Sequence, residues 1–183
     1  MLKYVLLGGL SKQPVTGYQL KQFVDGSSRH FWHAQTSQIY RTLNALETAG
    51  LLTSEIQEQD VRPDRRIYQI TAAGQADLQA WLAEPMTEIA PTKDALLVRI
   101  FFSAQLDKAT VLTQLRLQRS LHQRQLNLYQ NEIADLISTQ VQQNSALKRD
   151  GLLWEITRRN GELAEEAYVR WLDEAIERIE IEF

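Results

Sequence analysis

The 183-residue chain has no cysteine, so neither a disulfide framework nor a thiolate metal site is available to it. Burial must hold it together instead, and a chain of this length buries roughly 70% of its unfolded surface, as one domain or two small lobes. Long apolar runs are missing too. No segment approaches the roughly 20 residues of a membrane span, and the longest candidate, Ala95 to Phe102, is interrupted by Arg99. The apolar run Tyr4 to Leu10 is short, contains Gly8 and Gly9 and lacks a cleavage pattern, so no membrane partner and a cytoplasmic location are expected. No P-loop, dinucleotide fingerprint or nucleophile elbow occurs, so an enzyme is the least supported class. Metal ligation is not expected either: His30 and His33 lack companions at ligand spacing. His122, alone in a glutamine-rich stretch, reads as solvated, and Glu162, Glu165 and Glu166 read as a solvated face. No cofactor is implied.

Positive charge is the last shortage. Lys plus Arg number 20 against 23 Asp plus Glu, a net charge of −3, whereas a nucleic-acid-binding chain is often strongly basic. The distribution is uneven: residues 1–80 hold eight cations and seven anions, residues 81–183 twelve and sixteen. The acid lies in the tail, and a first half near neutrality implies modest affinity for DNA unless two copies act together.

What is present centres on residues 35–51. Ile39, Leu43 and Leu46 recur at helical spacing as a buried stripe, and Gly50 supplies a C-terminal stop. The opposite face carries Ser37, Arg41, Asn44 and Thr48, with Gln38 and Tyr40 beside them and no acid among them. Uncharged donors around one arginine suit a helix that enters a DNA groove; an ordinary polar face is the plainer reading. Gln35, Thr36, Ser37, Gln38, Tyr40, Arg41 and Asn44 are therefore the candidate DNA contacts. Two β-rich runs follow, residues 51–56 and 67–70, separated by a polar, proline-containing turn, which predicts a hairpin. A helix-turn-helix with a hairpin is a winged helix, and Arg62, Arg65 and Arg66 sit where its wing meets phosphates, unless Asp60 and Asp64 neutralise two of them.

Around this centre, Leu2 to Leu10 predicts a helix and residues 11–15 a turn. Thr16 reads as the N-cap of a helix over Gly17 to Val24 with Tyr18, Leu20 and Phe23 inward. Thr71 caps a helix that Pro85 ends. Residues 86–92, flanked by prolines, read as a linker, and beyond it the pattern is wholly helical. One helix begins with Ala95, a long one runs from Ala109 to Ile137 behind Asp107, and the last spans Leu152 to Ile179. Its apolar positions suit a second chain, or an antiparallel pair with the Ala109–Ile137 helix. Gly161, costly in a helix by about 1 kcal/mol, marks a close approach by a neighbouring helix or ring.

The order Gly17-Tyr18, Phe31-Trp32, Ser37-Gln38-Ile39-Tyr40, Leu43, Leu46, Gly50-Leu51, Tyr68, Ile70 to Gly74, Trp81-Leu82 and Gly161 to Trp171-Leu172 resembles the PadR family of bacterial transcriptional regulators, in the phenolic-acid-repressor branch. The resemblance implies a mainly α chain. Residues 1–85 would form a winged helix-turn-helix with a two-stranded β-wing, 86–92 a linker, and 93–183 an all-α dimerisation and effector-sensing domain. It further implies a homodimeric repressor of double-stranded operator DNA, released by a small aromatic effector such as a phenolic acid. Candidate effector residues are Tyr18, Trp32, Arg99, Phe102 and Trp154; the plainer reading of Arg99 is a pair with a nearby carboxylate such as Asp94. Dimer contacts are assigned to Leu153, Ile156, Gly161, Leu163, Tyr168 and Trp171. An activator or a multidrug-responsive repressor of the same fold stays open. So does a winged-helix interaction module that has lost DNA binding.

Overall fold

Three leucines, Leu6, Leu7 and Leu10, turn one side of α1 (Leu2–Leu10) into the floor of the first apolar core. The computed structural model describes residues 1–25, 34–58 and 64–183. Phe31, Trp32, His30, His33, Asp60 and Arg62 lie outside the described residues. The chain divides into two compact units, Met1–Ala90 and Pro91–Phe183.

In the first unit, Thr16 caps α2 (Gly17–Phe23) by accepting the Gln19 N–H at 3.1 Å. The inward side of α2 is not the one the sequence suggested. Leu20 and Val24 are buried, whereas Tyr18 and Phe23 are exposed. At about 100° per residue Tyr18 stands some 160° from Leu20, so it cannot share that face. Helix α3 (Thr36–Thr48) buries Ile39, Leu43 and Leu46 in the same core. It ends at Gly50, whose φ of 70° lies in the left-handed region that favours glycine. Strands β2 (Leu52–Gln57) and β3 (Arg65–Ile70) form the antiparallel hairpin, in register from Leu52 opposite Ile70 to Gln57 opposite Arg65. The sheet has a third member. Val15–Thr16, read from sequence as a turn and a cap, form β1 and pair with Tyr68 and Ile67 on the far edge of β3. Helix α4 (Ala72–Ala83), capped by Thr71, closes the unit on α1, with the rings of Tyr4 and Trp81 stacked at 4.2 Å.

The second unit is a helical pair with additions. Asp94 caps α5 (Ala95–Phe101) and Asp107 caps α6 (Lys108–Leu128). The long helix expected through Ile137 is interrupted: one π turn, Tyr129–Ile133, joins α6 to α7 (Ala134–Gln143). The last helix, α8 (Lys148–Glu182), runs antiparallel to α6. The order of contacts gives that direction: Arg116 meets Glu180, Arg119 meets Asp173, His122 meets Glu165, and Arg158 meets Tyr129. Leu96, Val111, Leu115 and Leu172 make its core. Of the two roles considered for the last helix, pairing within the chain is therefore realised on one of its faces.

That face is polar along its middle, contrary to the solvated surface expected there. His122 is half-buried, with Nδ1 2.6 Å from the Glu165 carboxylate and its ring stacked on Tyr168 at 3.9 Å. Glu162 is buried, and so is Arg158, whose Nη1 donates to Glu162 and to the Tyr129 carbonyl at 2.8 and 2.9 Å. A π turn disturbs the helical ladder, and a buried guanidinium supplies the donor that this carbonyl takes.

Candidate nucleic-acid interface

Helix α3 presents two unlike faces because its apolar residues repeat every three to four positions. With Ile39, Leu43 and Leu46 inward, Gln35, Thr36, Ser37, Gln38, Arg41, Asn44 and Thr48 are all exposed. Not all are equally available. The Gln38 side-chain oxygen accepts the Gln35 N–H at 2.9 Å, which satisfies one of the unpaired donors at the helix start. The Thr48 hydroxyl donates back to the Asn44 carbonyl at 2.9 Å. Arg41 is exposed and has no ion-pair partner among the described residues.

Beside α3 lies a groove of about 640 Å³ lined by Tyr18, Gln19, Gln22, Tyr40, Arg65 and Tyr68 among others. Tyr40 is held there by α2: its ring packs on Gly17, where a Cβ would come within 2.6 Å of it. Tyr18, placed by sequence in an effector pocket, is on this exposed groove and hydrogen-bonds with Gln22 at 3.1 Å.

The wing arginines part company. Arg65 is exposed at the start of β3. Arg66 turns back onto the domain: its Nε donates to Ser54 Oγ at 2.7 Å, its Nη2 pairs with Glu47 of α3, and its guanidinium lies 5.4 Å from the Tyr68 ring centre. Ser54 completes the bridge by donating to Glu47 at 2.6 Å. The wing is thus tied to the C-terminal half of α3 by three side chains. Burial pushes the Tyr68 hydroxyl above its ordinary range, so it stays protonated beneath Arg66. Sequence pattern did not reveal this bridge, although Glu47 is the only acid on α3.

In the second unit a cleft of about 550 Å³ gathers Lys93, Arg99, Gln114, Gln118, His122 and Tyr168. Asp94 also lines it but does not pair with Arg99 among the described residues. Its Oδ1 accepts the Leu96 and Leu97 N–H groups, and its Oδ2 accepts the Tyr168 hydroxyl at 2.7 Å. The Tyr168 bond above all, with those two backbone donors, holds its carboxyl below the ordinary aspartate value. Burial and the Asp94 bond push Tyr168 upward. Phe102, an exposed residue, and Trp154, a half-buried one, do not line this cleft.

The residues assigned to a dimer contact also divide. Leu153, Ile156 and Leu163 are exposed on α8. Gly161, Tyr168 and Trp171 are engaged within the unit: Gly161 faces the Tyr129 ring, and Tyr168 touches Asp94, His122 and Trp171. Among the described residues no cluster of His, Asp or Glu is arranged to hold a metal, and no helix is long and apolar enough to cross a membrane.

A three-stranded sheet edged by a helix-turn-helix, followed by long antiparallel helices, defines a winged-helix regulator with a helical C-terminal part. Residues 6–80 match the model of the transcriptional regulator PadR-like family, and residues 92–180 match that of the virulence activator alpha C-terminal region. The chain is 30% identical over 98% of its length, and 97% of the relative's, to a Mycobacterium tuberculosis protein named "Probable transcriptional regulator Rv1176c". It is 29% identical to the negative transcriptional regulator PadR of Bacillus subtilis over 59% of each chain. Among solved structures, B. subtilis PadR in complex with operator DNA has a TM-score of 0.80 at 24% identity, covering 97% of this chain and 98% of that one. The same protein with p-coumaric acid scores 0.69 at 22% identity, covering 98% and 95%. The Vibrio cholerae virulence activator AphA scores 0.72 at 24% identity, covering 98% of each chain. The chain belongs to the PadR family of transcriptional regulators.

Proposed function

We propose that the protein is a homodimeric repressor that sets α3 of each protomer into successive major grooves of an operator and is released by a small aromatic acid. The observation that carries this reading is the exposed, acid-free outer face of the first turns of α3, with Arg41 unpaired among the described residues and Arg65 exposed at the wing. Ser37, Arg41 and Asn44 project from the side of the helix opposite Ile39 and Leu43, as groove readout requires. Half-sites would lie about 34 to 36 Å apart. The B. subtilis relative's complexes with operator DNA and with p-coumaric acid support extending both ligands to this chain. In this reading the linker 86–92 separates a DNA-binding domain over 1–85 from an effector-sensing and dimerising domain over 93–183.

The test is a salt titration of binding to the DNA immediately upstream of its own gene. Specific, salt-dependent binding is expected, and Arg41→Ala should cost about 1 to 3 kcal/mol of operator affinity without unfolding the protein. Unchanged affinity in a folded variant would remove α3 from the groove. Activation is the second reading, favoured by the match of residues 92–180 to the virulence activator C-terminal model. A promoter fused to a reporter separates the two: deletion of the gene raises output under repression and lowers it under activation.

A further inference from the structure

The groove between α2, the first turns of α3 and the start of β3 is walled by hydrogen-bond donors. Tyr18 and Gln22 reach it from α2, Tyr40 from α3 and Arg65 from the wing strand. The Tyr18 oxygen accepts an N–H of Gln22 one helical turn on, which lays the ring along α2 and leaves the phenol its own proton to donate. The Gln19 side-chain oxygen is taken by the N–H and the hydroxyl of Thr16, so the donating end of that amide is the end left over. Asp64, next in sequence to Arg65, is the one acid among the lining residues. The two tyrosines stay open, Tyr18 at 66% and Tyr40 at 40% exposure.

Gly17 decides where Tyr40 stands. Its backbone is not in the left-handed region, so the chain does not demand glycine there; the neighbouring ring does. A Cβ at Gly17 would come within 2.6 Å of Tyr40 Cε1 and 3.1 Å of its hydroxyl oxygen. The missing side chain lets the ring rest on the first turn of α2 with its hydroxyl at the groove. A half-exposed ring can swing toward solvent instead of straining the core, so a methyl group at position 17 would move the hydroxyl at little cost in stability.

A helix seated in a major groove and a wing reaching down beside it have a sugar–phosphate strand between them, and phosphate oxygens only accept hydrogen bonds. We propose that this groove seats that strand: Tyr18 and Tyr40 donate to its phosphates, Arg65 neutralises one of them, and Gly17 is the positioning residue that holds Tyr40 in place. The inference rests on the regulator reading above and adds to it a contact that carries no sequence information. It moves Tyr18 from the effector set to the DNA-binding surface.

Fluorescence anisotropy of the full chain with two labelled duplexes tests the seat: the DNA upstream of its own gene, and a scrambled duplex of the same length and composition. Tyr18→Phe and Tyr40→Phe each remove one hydroxyl, and each is expected to weaken both duplexes by the same factor, about tenfold. Because no charge is lost, the slope of log affinity against log salt should stay that of the parent. Gly17→Ala should act likewise with an unchanged melting temperature, and adding it to Tyr40→Phe should weaken binding no further. Parent-like affinity in both tyrosine variants would overturn the seat, and a loss confined to the upstream duplex would make the tyrosines readers of bases instead. Additive losses for Gly17→Ala and Tyr40→Phe, or a Gly17→Ala protein that melts early and binds normally, would remove the positioning role. A parent that binds neither duplex would overturn the regulator reading itself, a result that no variant comparison can produce.

Discussion

At the scale of single residues, geometry redistributes the work of the arginines. Arg66 was grouped with Arg65 as a phosphate contact, yet its Nε and Nη2 are engaged by Ser54 and Glu47, which turns the guanidinium back onto the domain. Removing a phosphate contact lowers the slope of log affinity against log salt by about 0.9, whereas removing a positioning residue weakens binding at constant slope. Arg65→Ala is therefore expected to flatten the salt dependence. Arg66→Ala should leave it unchanged and cost about 1 kcal/mol of domain stability, since the pair is partly exposed and solvent-screened. A flattened slope in Arg66→Ala would restore it to the phosphate-contacting set. Arg158 is used differently, in a buried network. Its bonds are the main cause that lowers Glu155, and Arg159 followed by Arg158 lowers Glu162, below the ordinary glutamate value of 4.5. Depressed folded-state values mean that the unfolded chain takes up protons first as pH falls. The stabilisation is complete above pH 4.5 and is lost as pH drops through the folded values. Melting temperature should be level from neutral pH to about 5 and then fall. Arg158→Leu should lower it at neutral pH and shrink that acid-side drop; an unaltered acid-side drop would assign the effect to other carboxylates.

At the scale of elements, local signals were legible and distant pairings were not. Thr16, Thr71 and Asp107 announced helix starts because each caps with its own side chain, and α3 was readable from the spacing of Ile39, Leu43 and Leu46. The exposure of Ser37, Arg41 and Asn44 on its outer face followed from the same spacing. Strand β1 was invisible because two residues cannot show alternation, and its partner lies some fifty residues away in sequence. The inward faces of His122 and Arg158 were equally hidden, since an amphipathic pattern does not predict which polar residue finds a partner 29 or 43 positions away. Gly161 was read as a close approach by a neighbouring helix or ring, and what it meets is the Tyr129 ring of the same chain. A Cβ at Gly161 would lie 2.5 Å from the Tyr129 ring. Alanine would gain about 1 kcal/mol of helix propensity, and overpacking costs about 1 to 3, so the clash should win by about 1 kcal/mol. Gly161→Ala is expected to destabilise the C-terminal unit, and Tyr129→Leu in the same background to remove that penalty in a double-mutant cycle. Additive effects would mean that the two residues do not meet.

At the scale of the whole molecule, the near-neutral first half would bind DNA more tightly with a second copy beside it, and the proposed dimer is expected to use the exposed side of α8. Taking Arg158, Glu162, Glu165, Val169 and Leu172 as the packed side, Leu153, Ile156, Leu163 and Ala167 fall about 180° away at 100° per residue. Leu152 borders this stripe, and Leu153, Ile156 and Leu163 are 49–59% exposed. Full burial of such a side chain is worth about 1.5 to 3 kcal/mol, so half remains to be gained at each. Leu152, Leu153, Ile156 and Leu163 of two copies would gather about 6 to 12 kcal/mol, against about 4 to 15 kcal/mol that association costs, so the margin is narrow and losing two positions per copy should be decisive. Truncating the chain before Leu152 is the wrong experiment, because Val169 and Leu172 are buried within the C-terminal unit and their loss would unfold it. Leu153→Glu together with Ile156→Glu alters only exposed positions. That variant is expected to sediment as a monomer with unchanged helicity. Because linked half-sites multiply affinity by about 10² to 10⁴, its operator binding should fall by a comparable factor, while Arg41 still contacts each half-site. A stable dimer in the double variant would place the interface on another surface of the chain; a folded monomer that binds the operator as tightly as the parent would mean that one copy suffices.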